Sequence, residues 1–220
     1  VLAGVPKASM TPAQVRMLSD GFGEFVKSQM VNADRPESHV NLGLAYMELG
    51  QFAQAEESYK TAMRIAPSFT PAYVNLADLY RMEGRDAEGE GLLRKAIDLA
   101  PENADAYHAL GLLLIRQKNV PEAMNALGEA ARLSPDNARY SYVYAVALNE
   151  TGKTDEALTV LEEAGSRNPN DREILYALTV FNANSGDLAA ARRYAEKHHE
   201  LSPDDPAVEK LLNDLPHSGE

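Results

Sequence analysis

The sequence has no cysteine and no tryptophan, and its 21 lysines and arginines are outnumbered by 33 aspartates and glutamates. Without cysteine the chain can form no disulfide, no thiolate zinc site and no thiol nucleophile. No apolar run approaches the roughly 18 residues that a membrane-spanning helix needs. The opening segment Val1–Met10 contains Pro6 and Lys7, and it does not have the pattern of a signal peptide.

The formal net charge of −12 limits the class of partner that the chain can bind. Nucleic acids and anionic membranes are bound through clustered lysine and arginine side chains, and the acidic balance of this sequence opposes such binding. We therefore expect a protein or peptide partner with an apolar or basic segment, and neither nucleic acid nor membrane.

Five prolines recur at a fixed interval, which organises the rest of the chain. Successive members of the series lie 34 residues apart, and they are Pro67, Pro101, Pro135, Pro169 and Pro203. A fixed period of this size is typical of a solenoid, in which each repeat is one supersecondary unit stacked on its neighbours.

Side-chain size follows the same period. When each closing proline is numbered position 32, small residues recur at positions 8, 20 and 27, and bulky residues recur at positions 4, 7, 11 and 24. In the first repeat these seven positions hold Gly43, Ala55, Ala62, His39, Leu42, Tyr46 and Tyr59. Small residues let two helix backbones approach closely, and the large ones fill the space between helices. The fifth repeat departs most, with Thr179 and His198 at small positions.

This pattern resembles the tetratricopeptide repeat family over residues 36–205. The resemblance implies an all-α fold, an α-solenoid in which helix pairs form a right-handed superhelix. It also implies a non-enzymatic protein–protein interaction scaffold that binds a polypeptide segment in a concave groove and needs no cofactor. The predicted repeats are 36–69, 70–103, 104–137, 138–171 and 172–205. Residues 1–35 are predicted as a lead-in and a half-repeat helix, and residues 206–220 as a capping helix and tail.

Local signals place the ends of the helices. The turn between the two helices of a repeat is predicted at Gly50, Gly84, Gly152 and Gly186, and at Lys118-Asn119 in the third repeat, because glycine favours the left-handed conformation that ends a helix. The half-repeat helix is predicted to run to about Val31, with Thr11 as N-cap and Gln14 completing a capping box. Later N-caps are predicted at Thr70, Asn103 and Asn137.

In the tetratricopeptide family the first helix of each repeat lines the groove, and this resemblance selects the candidate binding residues. The predicted groove consists of Val40, Leu44, Met47, Val74, Asn75, Asp78, His108, Leu112, Ile115, Arg139, Tyr142, Val143, Val146, Tyr176 and Val180. An amphipathic helix or an extended apolar segment fits such a groove. The alternative is that these side chains pack between adjacent first helices or under a segment of the same protein.

Other features that suggest chemistry have simpler interpretations. His198 and His199 are adjacent on a helix and point about 100° apart, so they are not expected to share a metal ion. Gly89-Glu90-Gly91 follows no strand, so it is not a phosphate-binding loop and instead indicates a close helix contact or a weak point in the helix. No arrangement of nucleophile and base, or of paired acids, indicates an enzyme.

A second resemblance concerns the segments NADRPESHVNLG, PAYVNLADLYR, HALGLLLIRQ and ARYSYVYAVAL. They are similar to the C-terminal tetratricopeptide region of bacterial multihaem cytochrome c proteins. This resemblance implies an accessory docking domain of a larger periplasmic redox protein, whereas a free scaffold would be cytoplasmic. The chain has no Cys-x-x-Cys-His motif, so no haem is assigned to it. Self-association through the N-terminal helix is a further possibility.

Overall fold

The computed structural model describes residues 11–215, and within that range the chain forms twelve α-helices and no strand. These residues fall into two compact units that divide between Ala100 and Pro101. The helices of the N-terminal unit are α1 (Pro12–Met30), α2 (Pro36–Glu48), α3 (Phe52–Ile65), α4 (Thr70–Met82) and α5 (Asp86–Leu99). Those of the C-terminal unit are α6 (Ala104–Arg116), α7 (Val120–Leu133), α8 (Ala138–Glu150), α9 (Thr154–Arg167), α10 (Arg172–Ser185), α11 (Leu188–Leu201) and α12 (Pro206–Asp214).

Helices α2 to α11 form five pairs, and the two members of each pair make the most extensive contacts in the molecule. We call α2, α4, α6, α8 and α10 the first helices, and α3, α5, α7, α9 and α11 the second helices. Within the N-terminal unit α3 contacts α4, and within the C-terminal unit α7 contacts α8, α9 contacts α10 and α11 contacts α12. The all-helical, solenoid class of fold predicted from the 34-residue period is confirmed.

The turns between paired helices lie where the sequence predicts them. The four glycines have φ angles between 69° and 92°, and Lys118 takes the same conformation with a φ of 63°. Lysine has a β-carbon that opposes this conformation, which glycine adopts without penalty. The third repeat therefore keeps the turn geometry of the others at some cost in conformational strain.

The helix caps were predicted less well. Asn103 caps α6 as expected, since its side chain accepts a hydrogen bond from the Ala106 amide at 3.0 Å. Asn137 precedes α8, but its side chain makes no capping bond. Thr70 is the first residue of α4, and Phe69 occupies the cap position.

Thr11 directly precedes α1, which ends at Met30, and the Gln14 side chain lies outside the described residues. Asp171, Asp187 and Asp205 are caps that the sequence analysis did not name.

Small residues bring paired helices into direct contact. A β-carbon placed on Gly111 of α6 would lie 2.6 Å from the Leu127 side chain and 3.2 Å from the Leu127 backbone nitrogen in α7. At the same position of the first repeat, a β-carbon on Gly43 would lie 2.3 Å from the Tyr59 ring. Leu127 and Tyr59 are both fully buried, so neither side chain has space into which it could move. In the first and third repeats the spacing of the pair is therefore set by an absent side chain.

A partly buried polar network joins the first and second repeats. Glu56 of α3 accepts hydrogen bonds from Lys60 at 2.6 Å, from the Tyr80 hydroxyl at 2.8 Å and from Arg85 at 3.1 Å. Arg85 also lies 3.7 Å from the centre of the Tyr80 ring, where its charge interacts with the aromatic face. Hydrogen bonds from Lys60, then from Arg85 and Tyr80, lower the pKa of Glu56 to about 2.

We expect Gly111→Ala to lower the free energy of unfolding by about 1–3 kcal/mol, because the added methyl group overpacks the contact with Leu127. The matched control is Gly91→Ala in the middle of α5, where a β-carbon would meet nothing within 4 Å. That change is expected to raise the free energy of unfolding by up to about 1 kcal/mol through helix propensity. Urea denaturation measures both variants, and equal effects would contradict this account.

We also expect Glu56→Gln to lower the free energy of unfolding at pH 7 by about 1–3 kcal/mol, because three charge-assisted or hydroxyl hydrogen bonds are weakened. The folded-state pKa of Glu56 lies below its unfolded value, so its contribution is complete above the unfolded pKa of 4.5 and is lost as the pH falls towards 2. The difference between the two proteins should therefore shrink below pH 4.5.

Glu57→Gln is the matched control for Glu56→Gln. The neighbouring Glu57 pairs with Arg64 at 2.8 Å, but both side chains are more than 60% exposed. An exposed pair of this kind contributes little to stability, because water screens the two charges. A loss of stability as large for Glu57→Gln as for Glu56→Gln would show that the network does not stabilise the junction of the two repeats.

Candidate functional site

The N-terminal unit exposes apolar side chains on its first helices α2 and α4. Leu44 and Met82 are 45% and 52% exposed, and Met47 and Val74 are half-buried. Among the polar groove candidates, Asn75 donates a hydrogen bond to the Pro71 carbonyl. Asp78 accepts one from Arg81 at 2.6 Å. These side chains form a small surface of mixed character.

Val40 does not belong to the exposed surface to which the sequence analysis assigned it. Its side chain is only 7% exposed, and it lies in the hydrophobic core of the N-terminal unit with Ala55, Tyr59 and Leu76. The spacing along a first helix does not distinguish an outward position from one that the neighbouring helix covers. For this residue, the alternative of packing within the protein is the correct one.

The C-terminal unit carries most of the apolar groove candidates, on its first helices α6, α8 and α10. Ile115 and Tyr176 are each 40% exposed. The remaining apolar members are half-buried, and they are Leu112, Tyr142, Val143, Val146 and Val180. Helices α8 and α10 contact each other, so the candidates on these two helices lie on neighbouring elements.

Several of these side chains pack against the core and are also partly exposed to solvent. Tyr142, Val146 and Val180 pack against a buried cluster that includes Leu148, Leu161 and Leu178. Each of the three is also partly exposed. This double placement means that a partner would contact side chains already held in position by the core.

Charged residues are confined to the ends of these three first helices. Helix α6 has Asp105 and Arg116, helix α8 has Arg139 and Glu150, and helix α10 begins with Arg172-Glu173. The central turns of all three carry no charged side chain. The second helix α9, in contrast, has four acidic residues, Asp155, Glu156, Glu162 and Glu163, all of them exposed. These acidic residues and the apolar candidates therefore lie on different helices.

A polar cluster adjoins this surface at the start of α6 and α8. The rings of His108 and Tyr140 lie 4.6 Å apart between centroids, and the Tyr140 hydroxyl donates a hydrogen bond to Asp105. Burial, and then the charge of Arg139, lowers the pKa of His108. His108 is consequently neutral at pH 7 and can offer a hydrogen bond without a charge.

Sequence reasoning selected His108 and Arg139 but missed Tyr140 and its bond to Asp105, which connects residues 35 apart. A signal for it existed, since Tyr140 is the only aromatic residue at position 3 of the five repeats.

Two other features turn out to be structural. His198 is buried at a position where four repeats have alanine, and its ring meets the edge of Tyr176 at a centroid distance of 6.5 Å. No group of three histidines or acids placed to hold a metal ion occurs in residues 11–215. Gly89 is buried within α5, whereas Gly91 is exposed. Gly89 therefore lies at a packed position, and Gly91 lowers the helix propensity of α5 without packing against a neighbour.

Helix α1 exposes Met17 and Met30 and packs on α2, where Phe22 meets Tyr46 edge-on at 5.3 Å. Self-association through its outer face stays a prediction. None of the helices in the described part of the chain is both long and apolar enough to span a bilayer.

Comparison with known families matches residues 91–208 to the tetratricopeptide repeat domain of cytochrome c-type biogenesis protein H. Residues 36–69 and 70–103 each match a tetratricopeptide repeat. No curated protein sequence matches the chain.

Solved structures share the fold at low sequence identity. PilF of Pseudomonas aeruginosa is 23% identical with a TM-score of 0.69, over 80% of each chain. YrrB, a tetratricopeptide repeat protein with an unusual peptide-binding site, is 20% identical with a TM-score of 0.61, over 87% of this chain and 98% of its own. TTC0263 of Thermus thermophilus is 20% identical with a TM-score of 0.59, over 81% of this chain and 97% of its own.

Proposed function

Because this chain belongs to the tetratricopeptide repeat family, we propose that it is a non-enzymatic scaffold that binds an apolar polypeptide segment on the first helices of its C-terminal unit. The observation that carries this proposal is the uncharged apolar surface of α6, α8 and α10, with Ile115 and Tyr176 each 40% exposed. Exposed apolar surface without charge usually marks an interaction site when it forms a large patch.

The proposed mode of binding follows from the arrangement of the surface. An apolar segment lying across the three helices would remove their central turns from water, which contributes roughly 25 cal/mol per Å² of apolar area buried. Tyr142, Val146 and Val180 are held by the core, so little side-chain freedom would be lost when the partner binds. The charged ends of the helices and the neutral His108 would set the register of the segment by polar contacts.

We expect Val143→Glu to weaken binding of an apolar peptide at least about tenfold, because a carboxylate would have to lose its water in the middle of the contact. Val143 is half-buried on α8. Fluorescence polarisation against a library of labelled peptides, apolar and charged, measures the affinity of each variant. Circular dichroism checks that helicity is unchanged.

Leu188→Glu is the control for this experiment, since Leu188 is 41% exposed at the start of the second helix α11. It introduces the same charge at an exposed apolar residue away from the proposed surface. Peptides that bind the Val143→Glu protein as tightly as the unchanged protein would refute the proposed surface. Equal weakening by both variants would indicate a general effect of charge.

A second candidate function is favoured by the match of residues 91–208 to the tetratricopeptide domain of a cytochrome c-type biogenesis protein. In this case the bound segment belongs to a c-type cytochrome, and the chain acts as a periplasmic docking domain for such a protein or within a larger multihaem one. The haem-attachment motif of these partners is Cys-x-x-Cys-His.

We expect a peptide that contains Cys-x-x-Cys-His between apolar flanks to bind more tightly than the same peptide with Ala-x-x-Ala-Ala, if this second candidate is correct. The comparison is made under reducing conditions by fluorescence polarisation, so that peptide disulfides do not form. Equal affinities of the two peptides would contradict the second candidate function and would remain consistent with a general peptide-binding scaffold. Loss of binding by Val143→Glu in both peptides would locate either contact on the proposed surface.

A further inference from the structure

A cleft of about 390 Å³ lies between α7, α8 and α9 in the C-terminal unit. Its wall includes Gly128 of α7, Ser141 and Tyr144 of α8, and Arg167 of α9. Its volume is in the range of sites for small ligands, about 300–1,000 Å³. It shares no residue with the apolar surface proposed above to bind a polypeptide, so it is a separate feature of the molecule.

The cleft coincides with two departures from the repeat pattern. At position 4 the fourth repeat has Ser141, whereas the other repeats have a ring or a large aliphatic side chain. At position 25 the third repeat has Gly128, whereas the other repeats have long charged side chains. The larger residues at position 4 are His39, Tyr73, Tyr107 and Leu175. Those at position 25 are Lys60, Arg94, Glu162 and Glu196. The cleft lies beside the short Ser141 side chain. The place of a side chain on Gly128 is taken by the Tyr144 ring, which would lie 3.2 Å from a β-carbon there.

The other repeats indicate what fits at position 4. The buried Tyr73 donates a hydrogen bond from its hydroxyl to the Pro67 carbonyl at 2.7 Å. In the first repeat, His39 Nε2 lies 2.9 Å from the Ala33 carbonyl oxygen. In both cases the ring reaches the carbonyl six residues earlier in the chain. For Ser141 the corresponding residue is Pro135, which lines the cleft, and a serine side chain is too short to fill the same space.

We propose that this cleft accepts a tyrosine side chain presented by a partner polypeptide, in the place that an aromatic residue of the chain itself occupies in the second repeat. The ring would lie against Tyr144 and Val160, and its hydroxyl would donate to the Pro135 carbonyl as that of Tyr73 does to Pro67. The guanidinium group of Arg132 is held by two hydrogen bonds to Glu129, at 2.9 and 2.7 Å. A guanidinium at the cleft wall can stack on an aromatic face.

The experiment is an amide NMR titration with N-acetyl-tyrosinamide as the probe and N-acetyl-alaninamide as the blank. The unchanged protein should show saturable shifts at Gly128, Ala131 and Val160 with the tyrosine probe and none with the alanine blank. Ser141→Tyr should abolish these shifts, because the new ring fills the cleft. Ser141→Ala is the matched control, and it should keep them because the cleft stays open.

Absence of saturable shifts in the unchanged protein would overturn the proposal, and so would identical shifts in Ser141→Tyr. If the free amino acid tyrosine bound and N-acetyl-tyrosinamide did not, the proposal would also be wrong, because the cleft would be a site for a small metabolite and not for a polypeptide side chain. Should Ser141→Tyr fail to fold, Ser141→Leu fills the cleft with the residue that the fifth repeat has at this position, Leu175, and it should abolish the shifts equally. The Val143→Glu variant should leave the shifts unchanged, which separates this cleft from the surface on the first helices.

Discussion

The close contact between the two helices of each repeat is the constraint on which the rest of the structure depends. Gly111 and Gly43 leave no room for a β-carbon beside Leu127 and Tyr59, so the distance between paired helices is fixed by backbone against side chain. Because interiors are packed as densely as crystals, such a contact cannot relax by small movements. The second and fourth repeats have Ala77 and Ala145 at this position, and all five helix pairs make extensive contacts. This pairing, repeated every 34 residues, sets which faces of the first and second helices are buried and which are left to the solvent.

Positions outside that contact are free to vary, and the variation is where function can enter. The outward turns of α6, α8 and α10 hold leucine, isoleucine, valine and tyrosine without a charge, whereas α9 carries a series of acidic residues. Ser141 shows a different kind of freedom, since a short side chain stands where the other repeats have a larger one, and a cleft lies beside it. A repeat protein can thus acquire separate binding surfaces by changing residues that its packing does not fix.

Two polar contacts between repeats in the described part of the chain are partly buried. Most ion pairs of the described residues join positions three or four apart on one helix, such as Arg132 with Glu129, and these stabilise a helix without linking it to another. Glu56 with Tyr80, and Asp105 with Tyr140, instead join successive repeats. Both use a tyrosine hydroxyl and a carboxylate, a combination that remains favourable when water is partly excluded. These bonds supplement the hydrophobic junctions and fix the orientation of one helix pair on the next.

The sequence by itself determined the helix pairs and the turns between them, because the 34-residue period, the glycines and the closing prolines act locally or by simple repetition. Even Lys118, which lacks the flexibility of glycine, was placed correctly by its register. The tertiary structure alone decided that Val40 is buried, that Tyr140 bonds to Asp105 and that a cleft opens beside Ser141. Each of these depends on which side chains from separate helices meet, and on the volume that they leave. Spacing along one helix carries no information about either.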